Sequence, residues 1–213
     1  MSTAPTSRPT CSRSAVSEPS WRVWRRRCLY AHAMHELDIP RRYRTIVVCG
    51  GFGLGGHREH DAEGLRRVYE HLEPGGLLVL DNEVPYASSP SHWWKYWLKE
   101  ARAELPRPSP DEGERRLGSD GVEYELRSRL VDFDALSQRI TLEMRASMRR
   151  DGELLVEDEH VLVMTLYFTH EVQLMLEQAG FVHVELRAGY TNASPTRDDD
   201  FVVLHARKPI AEV

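Results

Sequence analysis

The segment richest in residues that could do chemistry is Gly51-Phe52-Gly53-Leu54-Gly55-Gly56. Glycines 51, 53 and 56 match GxGxxG, a spacing that turns a strand into a helix and lets backbone N–H groups approach a pyrophosphate. Taken alone, this implies an NAD(P)-binding oxidoreductase. That reading needs an acid about 20 residues on, ending the next strand. Asp81 stands 30 residues past Gly51, and the following helix opens several residues after Gly56. Such glycines do not press that helix onto its strand, so the loop reads better as a ligand-facing turn of another kind.

Other chemistry is thinner. His92 lies beside Trp93, Trp94, Tyr96 and Trp97, where it is a weak candidate general base. The four aromatics read either as the buried side of a helix or as a surface for a substrate or partner. His57, His60 and His71 have no carboxylate at metal-ligand spacing and read as solvated, so no metal is expected. Asp198, Asp199 and Asp200 read as a polar turn rather than a cation site. Cys11, Cys28 and Cys49 are scattered without CxxC spacing, which argues against a disulfide framework or structural zinc and fits a reducing cytoplasm.

The elements that must position these groups follow from periodicity. Residues 29–34 form a candidate short strand, and 44–49 a buried β-branched one. Asp61 is placed to cap a helix with Leu65, Val68, Tyr69 and Leu72 on one face, ended by Pro74-Gly75-Gly76. Residues 77–84 complete a βαβ unit, the usual home of which is a doubly wound sheet. A helix opened by Ser91 is expected over 91–105. Then the period becomes 2 over 122–134, 138–150 and 153–168, with Asp151-Gly152 as a hairpin signal, so about three antiparallel strands are expected. Thr169 should cap a helix ended by Gly180, and 181–190 and 201–208 are the last strands.

Composition bounds the rest. The chain has 213 residues, 41% of them hydrophobic, and a net charge of -5. This fits one α/β domain and argues against nucleic acid as a partner. No apolar run is long enough for a membrane span. Residues 1–28 are rich in Ser, Thr, Pro and Arg and read as a disordered or aberrant segment; 29–208 form the domain, and 209–213 a tail.

Four segments in order resemble class I S-adenosylmethionine-dependent methyltransferases of the bacterial small-molecule type. They are YRTIVVCGGFGLGG (43–56), LEPGGLLVLDNEVPY (72–86), YFTHEVQLMLEQAGFVHVEL (167–186) and DDDFVVLHARK (198–208). The resemblance implies an α/β, Rossmann-like sheet, incomplete for want of its first two strands, with a small antiparallel β insert at about 117–168 covering the substrate mouth or simply stabilising the domain. It implies S-adenosylmethionine as cofactor, contacted by Ala33, Met34, Cys49, Gly50, Gly51 and Phe52. Tyr86, Trp93 and Tyr190 become substrate-side candidates for a small-molecule acceptor.

The family's glycine-rich first loop and ribose-holding acid have no counterpart upstream of Leu29. Codon degeneracy permits a shifted reading of residues 8–28 as ADMLAVCRERAELAGLAPTL, which is similar to the helix after the family's second strand. Residues 1–28 are therefore expected to reflect a frame error. The family's sheet order, 3-2-1-4-5-7-6, then leaves the 44–49 strand as an open edge through which a homodimer would form. Loss of two cofactor bonds should weaken cofactor binding by about a hundredfold to ten-thousandfold. A noncatalytic interaction module is the competing expectation.

Overall fold

The computed structural model describes residues 30–84 and 93–210, without the side chains of Trp93 and Trp94. Residues 1–29, Tyr86, Ser91 and His92 lie outside the described residues. In chain order the strands are β1 (Tyr43–Val48), β2 (Leu72–Glu83), β3 (Glu114–Leu117), β4 (Glu123–Asp134), β5 (Arg139–Arg150), β6 (Glu153–Thr165), β7 (Val182–Ala188) and β8 (Phe201–Arg207). The helices are α1 (Arg58–Glu70), α2 (Lys99–Arg102) and α3 (Thr169–Gln178).

The first sheet has the order β1-β2-β8-β7, with β1 and β2 parallel and the last two strands antiparallel to their neighbours. This is the 4-5-7-6 half of the expected order, and β1 is its edge. Alternate residues Leu78 and Leu80 of β2 and Val202, Leu204 and Ala206 of β8 bury against Leu65 and Val68 of α1 and Val172 and Leu176 of α3. Both helices of this core therefore lie on one face. On the other face Leu77 and Val79 are only half-buried. Lys208 fixes the end of α1, its ammonium donating to the carbonyls of Tyr69 and Leu72 at 2.8 and 3.0 Å, where the helix dipole favours a cation.

The second sheet runs β3-β4-β5-β6, all antiparallel. Its Asp151-Gly152 turn takes positive φ at both residues, 53° and 83°, as a tight hairpin requires. β3 adds a fourth strand to the three expected. Its four exposed residues, Glu-Arg-Arg-Leu, carry no apolar alternation by which to find it. A second core forms where Tyr96 and Trp97 meet Leu130, Phe133, Ile140 and Leu166, so the core reading of these two aromatics holds.

Four local expectations need correction. Residues 30–36 contain no strand. Residues 30–33 have no regular structure, and Met34–Glu36 is a single 3-10 turn laid on α1. Met34 gains its burial there, with its methyl 2.5 Å from where a Cβ on Gly64 would stand. Asp61 does not cap α1, which starts earlier at Arg58; it is buried inside the first turns. The helix expected over 91–105 is a 3-10 turn (Trp93–Trp97) and a short α2, because Leu98 between them is extended. Arg102 bonds the carbonyls of Tyr96 and Trp97, at 2.9 and 2.8 Å, in place of the missing helical turn. Thr169 is the first helical residue of α3 rather than its cap; Glu171 reaches back to the N–H of Phe168 at 3.4 Å instead. Among the described residues, no helix is long and apolar enough to cross a membrane.

Candidate functional site

Parallel strands present their carboxyl ends to ligands because the following loops leave a crevice there. At that end β1 runs into Cys49-Gly50 and β2 carries Asp81. The N–H of Gly50 donates to Asp81 Oδ1 at 2.7 Å, and the hydroxyl of Tyr190 donates to Asp81 Oδ2 at 2.7 Å. One carboxylate thus joins the end of β1 to the turn after β7. Hydrogen bonds to Cys49 and to Asp81 raise the Tyr190 phenol above its usual pKa. Gly50 and Tyr190, two residues singled out from the sequence, thus meet at Asp81, which carries no signal of its own in the sequence beyond its place in β2.

The glycine loop does different work. Thr165 N–H donates to the Gly53 carbonyl and Gly55 N–H to the Val163 carbonyl, both at 2.8 Å, with Leu54 bridged to Met164. The loop is therefore stitched to the last turns of β6 and holds the two sheets together. Side chains are excluded at the seam: a Cβ on Gly53 would stand 2.5 Å from the Thr165 carbonyl oxygen, and one on Gly56 2.4 Å from Val163 Cγ1. With its backbone engaged this way, the loop is no open phosphate cradle at a helix N-terminus, which removes the physical basis of the NAD(P) reading.

Beside this seam lies a cleft of about 580 Å³ between the 3-10 turn, the start of α1 and β6. Ala33, Met34 and Gly51 line it together, so three of the expected cofactor contacts converge. Phe52 does not join them; it turns into the core, its ring 4.9 Å from that of Tyr167. The cleft also gathers four histidines. His35 and His60 are stacked at 3.9 Å between ring centroids, His57 lies 5.0 Å from His60, and His160 enters from β6. Their sequence separation hid this grouping. Among the described residues no cluster could hold a metal ion. His71 stands apart: it is buried, its Nε2 accepting from Ile39 N–H at 3.0 Å and its Nδ1 facing the Arg67 carbonyl at 2.7 Å.

The floor of the cleft is Asp61, the one carboxylate of its lining. Tyr167 donates to it and Gly53 N–H bonds it, yet burial dominates and raises its pKa. Burial first, then the bond to Asp61, raises Tyr167 as well. Asn82 completes this interior with a 3.1 Å bond to the Tyr167 carbonyl. In the loop before β8, Asp199 accepts from the N–H and hydroxyl of Thr196 at 2.6 and 2.9 Å, so that acid serves the polar turn.

No family model matches the sequence, and no curated protein matches it. Solved structures do. An S-adenosylmethionine-dependent methyltransferase from Clostridium acetobutylicum superposes with a TM-score of 0.60 at 14% identity, over 84% of this chain and 64% of that one. The CcbJ methyltransferase from Streptomyces caelestis gives 0.53 at 19%, over 82% and 65%. CalS10, an amino pentose methyltransferase from Micromonospora echinaspora, gives 0.51 at 15%, over 82% and 62%. The chain spans less than two thirds of the length of each of these proteins. Its fold is that of S-adenosylmethionine-dependent methyltransferases.

Proposed function

We propose that this chain is part of a methyltransferase that moves a methyl group from S-adenosylmethionine to a small-molecule acceptor. The observation that carries the reading is the placement of Cys49, Gly50, Asp81 and Tyr190 at the carboxyl ends of a β1-β2-β8-β7 sheet whose solved counterparts are methyltransferases.

The cleft has the volume for part of such a cofactor, with Ala33 and Met34 toward its base and Gly51 toward its methionine end; Cys49 and Gly50 precede Gly51 at the end of β1, outside the cleft lining. The fit is partial. A ribose needs an acceptor for its hydroxyls, and the cleft's own acid, Asp61, is already bonded to Tyr167 and Gly53. The bound cofactor supplies an electrophilic methyl on a sulfonium. The protein's task is then to hold the acceptor in line and receive its proton. Asp81, with Tyr190 on one oxygen, is the carboxylate in position to receive it, and Tyr190 is the group that meets the acceptor. His92, Tyr86 and Trp93 remain candidates of the sequence alone.

Calorimetry with S-adenosylhomocysteine and NAD tests the assignment. The expected result is weak binding of S-adenosylhomocysteine, far above micromolar Kd, and none of NAD. Tighter binding of NAD overturns it.

A further inference from the structure

Each sheet has an edge strand with an open stretch among the described residues, β1 in the first and β6 in the second ahead of its Val163–Thr165 contact with the glycine loop, and the two stretches carry opposite charge. β1 is the edge of the first sheet. Entering it are Arg41, Arg42 and Arg44, with no acid between Arg41 and Val48. These three arginines make no ion pair among the described residues; Arg41 instead lies over the Tyr43 ring at 4.3 Å. β6 is the edge of the second sheet, and its first nine residues are all exposed. That stretch holds Glu153, Glu157, Asp158 and Glu159 with no lysine or arginine. Glu159 pairs with Arg145 on the neighbouring strand, while the other three acids have no ion pair among the described residues.

Both edges also expose apolar side chains: Val47 on β1, and Leu154, Leu155 and Val156 on β6. An open edge of this kind is a template for another strand. Like edges repel, since β1 against β1 opposes arginines and β6 against β6 opposes carboxylates. Unlike edges fit. In antiparallel register with Arg44 opposite Glu157, Arg42 meets Glu159 on the same face, beyond the irregularity that β6 carries at Leu155.

We propose that copies of this chain associate head to tail, the β1 edge of one pairing with the β6 edge of the next. This replaces the symmetric β1 dimer expected from the sequence. A heterologous contact does not close after two copies by symmetry, so association continues with concentration. The contact involves neither Asp81 nor Tyr190 and stands whether or not the methyltransferase reading does.

Sedimentation velocity of the full chain tests it. The mass should rise with concentration past that of a dimer at low salt and fall toward the monomer near 0.5 M salt, where exposed charges are screened to roughly 4 Å. Arg42→Glu with Arg44→Glu should cut association at least tenfold, as should Glu157→Lys with Asp158→Lys. Mixing the two reversed variants should restore pairing between them. A monomer at every concentration overturns the proposal. A salt-insensitive dimer that saturates at two copies, or no recovery on mixing, also overturns it.

Discussion

Tyr167 donates its hydroxyl hydrogen to Asp61 across 2.7 Å, both side chains lying almost wholly out of solvent. The bond ties the first turns of α1 to the crossing between β6 and α3.

Tyr167→Phe should therefore destabilise the fold by about 1–3 kcal/mol, the cost of leaving a buried acceptor short of its donor. Urea unfolding against the parent measures this. A difference below about 0.5 kcal/mol would mean that Asp61 is served elsewhere.

The raised pKa of Asp61 gives a pH signature. The folded state binds this proton more readily than the unfolded chain, so the group's contribution is fully present below the ordinary carboxylate range and is lost as pH rises through the raised value. Asp61→Asn does not titrate. The parent should gain stability relative to this variant as pH falls from neutrality toward about 4, the ordinary carboxylate value. Paired urea midpoints across that range decide it.

Glu125 titrates in the opposite sense. Its side chain is 3% exposed and bonded by Arg127 and by the N–H of Gly113, which hold its pKa down to about 2. Its contribution is present above the ordinary glutamate range and disappears as pH falls toward about 2. Glu125→Gln should be less stable than the parent at neutral pH, and the gap should close in acid. Amide exchange along β4 reads this in the insert alone.

Gly53→Ala combines positive φ, 84°, with a Cβ 2.5 Å from a backbone oxygen. The expected loss exceeds about 1 kcal/mol, or roughly 2–4 °C in Tm for each kcal/mol in a chain of this size. Gly152→Asn, at φ 83° with nothing within 4 Å of its Cβ, should cost only a few tenths of a kcal/mol by contrast, roughly.

Asp81→Ala frees both Gly50 and Tyr190. Amide exchange at Gly50 should quicken by roughly tenfold, about 1.4 kcal/mol, with the melting temperature little changed because the site is exposed. An unchanged Gly50 rate would show that the turn is held by its backbone alone.

Strands were legible where residue types alternate or form an apolar run. β2 alternates in burial along most of its length, β6 is marked by residue type although its first nine residues are exposed, and the Asp-Gly turn has one favoured geometry. What stayed hidden was non-local. Met34 reads as part of a strand because its neighbours are apolar, but no strand lies beside it and α1 offers its burial. Asp61 has the type and place of a helix cap, yet Tyr167, more than a hundred residues on, claims its carboxyl. Of the expected cofactor contacts, Ala33, Met34 and Gly51 meet in one cleft, Cys49 and Gly50 gather at Asp81, and Phe52 is lost to the core because an aromatic ring beside Tyr167 is better buried than presented. The role of Asp81 depends on Tyr190, which only the return of β7 brings near.

The backbone ladder from Gly53 and Gly55 to β6 has a thermodynamic corollary. A ligand that draws the loop toward itself must lengthen or break those bonds, while one that accepts the loop as it stands reinforces them. Occupancy at Gly51 and the opening free energy of β6 are then linked quantities, and each reports on the other. Protection of the Thr165 amide from exchange becomes a binding isotherm read from a residue the ligand never touches.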